Sequence, residues 1–184
     1  EAVRQGVKTL LKTHKFKFVG YWDADLATPL STIIEFIEKL QSNRALVAVC
    51  GSRILRLGAD IRRSVFRHYL GRIFATVASN ILNIPVYDTQ CGAKLFSAEH
   101  AEYIFSEHFI SRWFFDIELF ARSIELMGRE KTVNSIYELP LAKWYDIGES
   151  KVTWRSIILT PVDLLLIFYH YRHRITNSSQ SDTT

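Results

Sequence analysis

Cysteine is scarce: Cys50 and Cys91 are the only two in 184 residues, far apart, with neither C-x-x-C spacing nor a paired histidine. That argues against a zinc site or a disulfide framework and makes a reducing compartment the default. No run of about 18 uncharged apolar residues exists, because Asp163 interrupts the best candidate, Ile157 to Tyr169, so no spanning helix is expected within these residues. Internal repeats are missing as well. The opening Glu1-Ala2-Val3-Arg4-Gln5-Gly6 has neither an initiator Met nor a signal peptide, which reads as the start of a fragment of something longer. A large excess of one charge is also lacking: 23 basic against 19 acidic residues leave a formal +4. So mild a balance suits phosphates or a membrane surface, and no nucleic acid is expected as a partner.

What is present is a core: 48% of residues are hydrophobic, enough for one domain that buries a substantial interior. Ala2 to Thr13 places Val3, Val7, Leu10 and Leu11 on one face with Arg4, Lys8 and Lys12 opposite, which predicts an amphipathic helix. Phe16 to Trp22 reads as a strand that ends in Asp23-Ala24-Asp25. Thr28 before Pro29 is the expected N-cap of a helix over Leu30 to Leu40. Ala45 to Cys50 is a short apolar run expected to be a strand buried on both faces, and Gly51-Ser52-Arg53 follows it. Ile61 to Leu82 reads as one long helix carrying Arg62, Arg63, Arg67 and Arg72, either a solvated face or a clamp for phosphates. Pro85 to Phe96 is turn-like and then strand-like. Ser97, with Glu99 and Glu102 behind it, looks like a helix start. Trp113 to Leu126 is a further helix stopped by Gly128. Lys131 to Trp144 reads as a strand running out through Pro140 to a polar loop from Asp146 to Lys151. The last helical block, Thr153 to Tyr171, is apolar and aromatic with basic edges, which suits either a membrane interface or an ordinary core. Asn177 to Thr184 is a polar tail expected to be disordered.

An Asp-x-Asp triplet at a strand end can seat a divalent cation, since paired carboxylates are hard oxygen ligands, but solvated loop aspartates look the same. The blocks that follow narrow the choice. Ala-Val-Arg-x-Gly, Asp-Ala-Asp, Gly-Ser-Arg, the Arg-rich helix, Asp88-Thr89-Gln90-Cys91-Gly92-Ala93-Lys94-Leu95-Phe96 and Arg112-Trp113-Phe114-Phe115-Asp116-Ile117-Glu118-Leu119 stand in an order that resembles family 2 glycosyltransferases of the GT-A fold. The likeness is to the dolichyl-phosphate β-glucosyltransferase and polyprenyl-phosphate mannosyltransferase branch, over roughly residues 1 to 155. It implies an α/β, Rossmann-like layered fold with a central mixed sheet, from which the first nucleotide-binding strands are expected to be missing. The expected organisation is a partial transferase domain over 1–152, an amphipathic helix at the membrane interface over 153–174 and a disordered tail over 175–184.

The resemblance also implies roles. Asp23 and Asp25 match the residues that tie Mg²⁺ or Mn²⁺ to the donor diphosphate; where mannosyl-type relatives often add a Gln ligand, this chain has Ala27. Arg53 and Arg67 match arginines that hold phosphate, a task suited to a planar guanidinium that grips two oxygens at once. Asp116 matches the general base of inverting relatives, with Asp88 a second catalytic candidate, although either can simply cap a helix or hold a loop. Gln90 and Gly92 are expected where backbone comes close to the sugar. Lys94 either neutralises phosphate or faces solvent, and Trp113 either lines the sugar or acceptor pocket or sits in the core. The implied activity is inverting transfer of a hexose, glucose favoured, from a nucleotide sugar, UDP-glucose before GDP-mannose. The acceptor is polyprenyl or dolichyl phosphate at the cytoplasmic face of a bacterial inner membrane or the endoplasmic reticulum. A family 2 transferase with a sugar or polysaccharide hydroxyl acceptor, or a non-catalytic fragment of the fold, is the alternative.

Overall fold

The computed structural model of the chain describes residues 1–62, 65–145 and 154–178, with the backbone alone for 65–68, 70, 154–160 and 176–178. Its centre is a four-stranded mixed sheet in the order β1 (Phe18–Trp22), β4 (Ala93–Ser97), β2 (Ala48–Ser52), β5 (Ile136–Pro140). Strand β4 runs antiparallel to both β1 and β2, and β2 runs parallel to β5. Strands β1, β2 and β5 therefore point the same way, and β4 enters from the edge at which they end. The segments that follow β1 and β2, and the one that precedes β4, meet along that edge.

Side chains alternate across the sheet, as the period of two requires. On one face Leu95 and Val49 pack with Phe36 and Leu40 of α2 (Ile33–Ser42), and with Leu141 and Trp144. On the other, Val19, Ala48 and Phe96 meet Val7 of α1 (Ala2–Thr13), Ala101 and Ile104 of α4 (Ala98–Ile104) and Leu119 of α5 (Phe115–Met127). Cys50 joins Ala78 and Leu82 of α3 (Val65–Leu82) and Leu164, Ile167 and Tyr171 of α7 (Trp154–Ser178) on that same face. Every residue of β2 is buried, because helices cover both of its faces.

Helix α1 spans the predicted residues, Ser97 caps α4 by accepting from His100 N at 3.3 Å, and Gly128 ends α5 at φ 77°, a left-handed conformation that favours glycine. Elsewhere tertiary packing moved the boundaries. Thr28 is buried and caps nothing; a 3₁₀ turn, Leu30–Thr32, begins at Pro29 and leads into α2 without a side-chain cap. The expected long helix from Ile61 is divided, because Ile61 pairs with Trp144 where β3 (Asp60–Arg62) runs parallel to β6 (Lys143–Tyr145). Strand β2 starts three residues later than predicted, in register with β5 from Ala48↔Ile136. The expected strand from Lys131 begins instead as α6 (Arg129–Ser135), which hands over to β5 at Ile136.

Helix α7 runs beyond the predicted Tyr171 through Ser178, so Asn177 and Ser178 belong to it rather than to a tail. Among the described residues no helix is long and apolar enough to cross a membrane. The polar loop expected over 146–151 and the tail residues 179–184 lie outside the described residues.

Candidate active site

At the shared edge, β1 delivers Asp23 and Asp25, both exposed, just past its last residue. Asp23 N donates to Gly92 O at 2.7 Å, which fastens the triplet to the turn before β4. A Cβ at Gly92 would lie 1.9 Å from Asp23 Oδ2, so a hydrogen there is what lets the carboxylate cross the turn. Although the residue is exposed overall, its carboxyl is partly enclosed against the Gly92 turn, and that desolvation, then the charges of Asp25 and Asp116, pushes it above its ordinary range. Ala27 N donates to Asp25 Oδ1 at 3.0 Å, and Ala27, where a Gln ligand was conceivable, is buried with its carbonyl accepting from Tyr145 N.

Strand β2 ends at Ser52, and Arg53 follows it into a bidentate pair with Asp88. Arg53 Nε donates to Oδ2 and Nη2 to Oδ1, each at 2.7 Å, and the Arg53 backbone N–H adds a third bond to Oδ2 at 3.0 Å. Gln90 N also donates to Asp88 Oδ1. Burial acts to raise the Asp88 carboxyl, but Arg53 overrides it and holds the group at about 2. An aspartate so fully bonded and ionised has no capacity left to take a proton, so the geometry does not favour Asp88 as a base. The two-oxygen grip expected of Arg53 on phosphate is likewise committed to Asp88, and only Nη1 is without a partner among the described residues. The side chain of Arg67 lies outside the described residues.

Asp116 stands in the first turn of α5, buried against the sheet. Its Oδ1 accepts from Lys94 Nζ at 2.5 Å and from the Tyr21 hydroxyl, while Oδ2 has no partner among the described residues. Tyr21 and Lys94 are cross-strand neighbours in the β1/β4 register and so reach the same carboxylate. Lys94 is 0% exposed, contrary to the solvent-facing alternative, and its remaining bonds go to the carbonyls of Thr89 at 3.0 Å and Cys91 at 2.6 Å. Burial disfavours the ammonium, yet Asp116 and the neighbouring groups prevail and raise its pKa. Lys94 thus fixes both the Asp116 carboxylate and the turn over residues 89–91. Trp113 is 54% exposed, not core, in the segment just before α5.

Sequence reasoning missed Tyr21, which reads locally as a strand aromatic, and a set of polar atoms around the same edge. Trp22 Nε1, Ser52 Oγ, Thr89 Oγ1 and Gln90 Nε2 are buried with no hydrogen-bond partner among the described residues. Orphaned polar atoms cost about 1–3 kcal/mol each and concentrate where function requires them.

A mixed sheet flanked by helices, with carboxylates and a guanidinium gathered at the strand ends, is of the GT-A, Rossmann-like class. Sequence comparison points to particular relatives. The chain is similar to a dolichyl-phosphate beta-glucosyltransferase of Trichomonas vaginalis, 32% identical over 167 residues that cover 88% of this chain and 47% of that protein. A protein of the same description from Dictyostelium discoideum is 32% identical over 173 residues, 90% of this chain and 50% of the relative. Another, from Homo sapiens, is 34% identical over 161 residues, 81% and 46%. The chain spans about half the length of the curated relatives it matches. No protein-family model matches it.

Proposed function

We propose that the protein is an inverting hexosyltransferase that moves glucose from a nucleotide sugar, UDP-glucose before GDP-mannose, to dolichyl or polyprenyl phosphate at a cytoplasmic membrane face. The observation that carries this reading is the meeting, at one sheet edge, of an exposed carboxylate pair, an arginine and an aspartate with one open oxygen. Similarity to proteins described as dolichyl-phosphate beta-glucosyltransferases supports the acceptor class.

The chemistry is a single in-line displacement. An acceptor oxygen forms a bond to the anomeric carbon as the bond from that carbon to the diphosphate breaks, and the nucleoside diphosphate leaves with the electron pair. Asp23 and Asp25 would hold Mg²⁺ or Mn²⁺; two hard oxygen donors one residue apart, exposed just past the end of β1, fit a cation that takes its other ligands from the diphosphate. Among the described residues no third His, Cys, Asp or Glu completes a metal-holding group. When bound, the cation supplies charge neutralisation to the leaving diphosphate. Arg53 adds positive charge through Nη1. Phosphate monoesters have a second pKa of about 6, so a lipid phosphate needs no base, and Asp116 then orients the acceptor rather than deprotonating it. A hydroxyl acceptor would need a base, and the open Oδ2 of Asp116 is the observation that favours this second reading.

A donor panel with the full-length protein, polyprenyl phosphate and Mg²⁺ or Mn²⁺ tests the proposal, with the lipid-linked product identified. Glucosyl lipid is the expected product, abolished by Asp23→Asn with Asp25→Asn. Turnover with a free sugar and none with the lipid would overturn it.

A further inference from the structure

We infer that Asp163 of α7 is a positioning residue for the transfer step, acting through Ser111 on the start of α5. Its charge interrupts the most apolar stretch of the chain, and the functional site described above does not use it. The Ser111 hydroxyl donates to Asp163 Oδ2 at 2.7 Å, which orients the oxygen toward the turn ahead of it. That oxygen then accepts from Trp113 N at 3.2 Å and Phe114 N at 3.0 Å. Phe114 in turn gives its carbonyl to Ile117 N and Glu118 N, the first bonds of α5. Asp116 lies within that turn.

The segment is gripped from a second side. Glu118 accepts from Ile110 N and Ser111 N, and Tyr171 of α7 donates to the same carboxylate. Residues 110–114 are thereby held between α5 and α7, and the exposed Trp113 is carried on them. A displacement on the order of 1 Å at a reacting group can cost about a hundredfold in rate. Loosening the Ser111 hydroxyl therefore acts on the orientation of Asp116, while the strand end that carries Asp23 and Asp25 is left in place. Docking of α7 and alignment of the site are in this way one event.

The inference rests on Asp116 acting at the reacting atoms, so Asp116→Ala is assayed alongside in the full-length protein. Asp163→Ala and Ser111→Ala are each expected to lower kcat about ten- to a hundredfold with KM for the nucleotide sugar changed less than about twofold. Asp163→Asn and Ser111→Thr, which keep the acceptor and the hydroxyl, should restore kcat to within about twofold, and the double Ala variant should be no slower than the slower single variant. Should Asp163→Ala fail to fold, Ser111→Ala with its Thr rescue carries the same test. Unchanged kcat in a folded single variant, or fully additive losses in the double variant, overturns the positioning role and leaves the reading of Asp116 intact. Full activity of Asp116→Ala overturns both.

Discussion

Lys94 and Asp116 form an ion pair that the rest of the cleft is arranged around, and its energetics follow from burial. Breaking such a pair by removing one partner leaves an uncompensated charge in the interior, which costs about 3–5 kcal/mol. Lys94→Met is expected to destabilise by that order in urea denaturation, and adding Asp116→Asn should recover part of the loss by removing the orphaned charge. Equal stability of wild type and Lys94→Met would show that the pair contributes nothing. This residue also marks how far the sequence can be read. Asp23 and Asp25 announce themselves as adjacent carboxylates at the end of an apolar run. Lys94 sits among Ala93, Leu95 and Phe96, all buried, and nothing local says that its charge turns inward; only Asp116, brought over by α5, does.

At the scale of elements, α4 and α5 are joined by His100 and Ser123. The Ser123 hydroxyl donates to Leu119 O, so His100 Nε2 must be the donor of the 2.9 Å bond between them. Burial pushes the imidazole down to about 4. The folded protein therefore excludes a proton that the unfolded chain takes up near pH 6.5, so stability is full at neutral pH and falls as pH drops from about 6.5 toward 4. Denaturation at pH 7 and pH 5 should differ by about 2 kcal/mol from this group, and His100→Gln should remove that part of the difference. An unaltered pH dependence in the variant would assign it elsewhere. Elements with their own punctuation were legible: α1 by its periodicity, α4 by Ser97 and α5 by Gly128. Strand β3 was not, because Ile61 fits a helical pattern locally and is extended only by pairing with Trp144 across the fold.

For the molecule as a whole, α7 has two distinct faces. Leu164, Ile167, Tyr171 and Ile175 are buried on α5 and its neighbours, whereas Val162, Leu165, Leu166 and Tyr169 are exposed. Arg172 lies over the rings of Phe168 and Tyr169, which gives the outer side the apolar, aromatic and basic character of an interfacial helix. If that side meets the lipid that carries the acceptor, replacing Leu165, Leu166 and Tyr169 together by Ser should reduce co-sedimentation with anionic vesicles about tenfold or more while the core stripe stays intact. Equal pelleting would remove α7 as the contact. Of the two readings of this segment made from its sequence, the core reading holds for the buried face, and the interface reading is the one this experiment tests.

The position of β4 between β1 and β2 has a consequence for how the molecule comes into being. The first half of the chain can form α1, β1, α2 and β2, but β1 and β2 share no hydrogen bonds and remain separate ribbons until β4 is available to join them. The turn that holds Asp23, the aspartate that grips Arg53 and the lysine that anchors Asp116 all arrive with that one strand or just before it. Within these residues, then, the cleft lacks the carbonyl that fastens Asp23, the carboxylate that grips Arg53 and the lysine that anchors Asp116 until β4 is in place. Its acidic and basic halves become a single surface only when this late, long-range insertion closes the sheet, the kind of contact that folds slowly and leaves strand edges open while it waits.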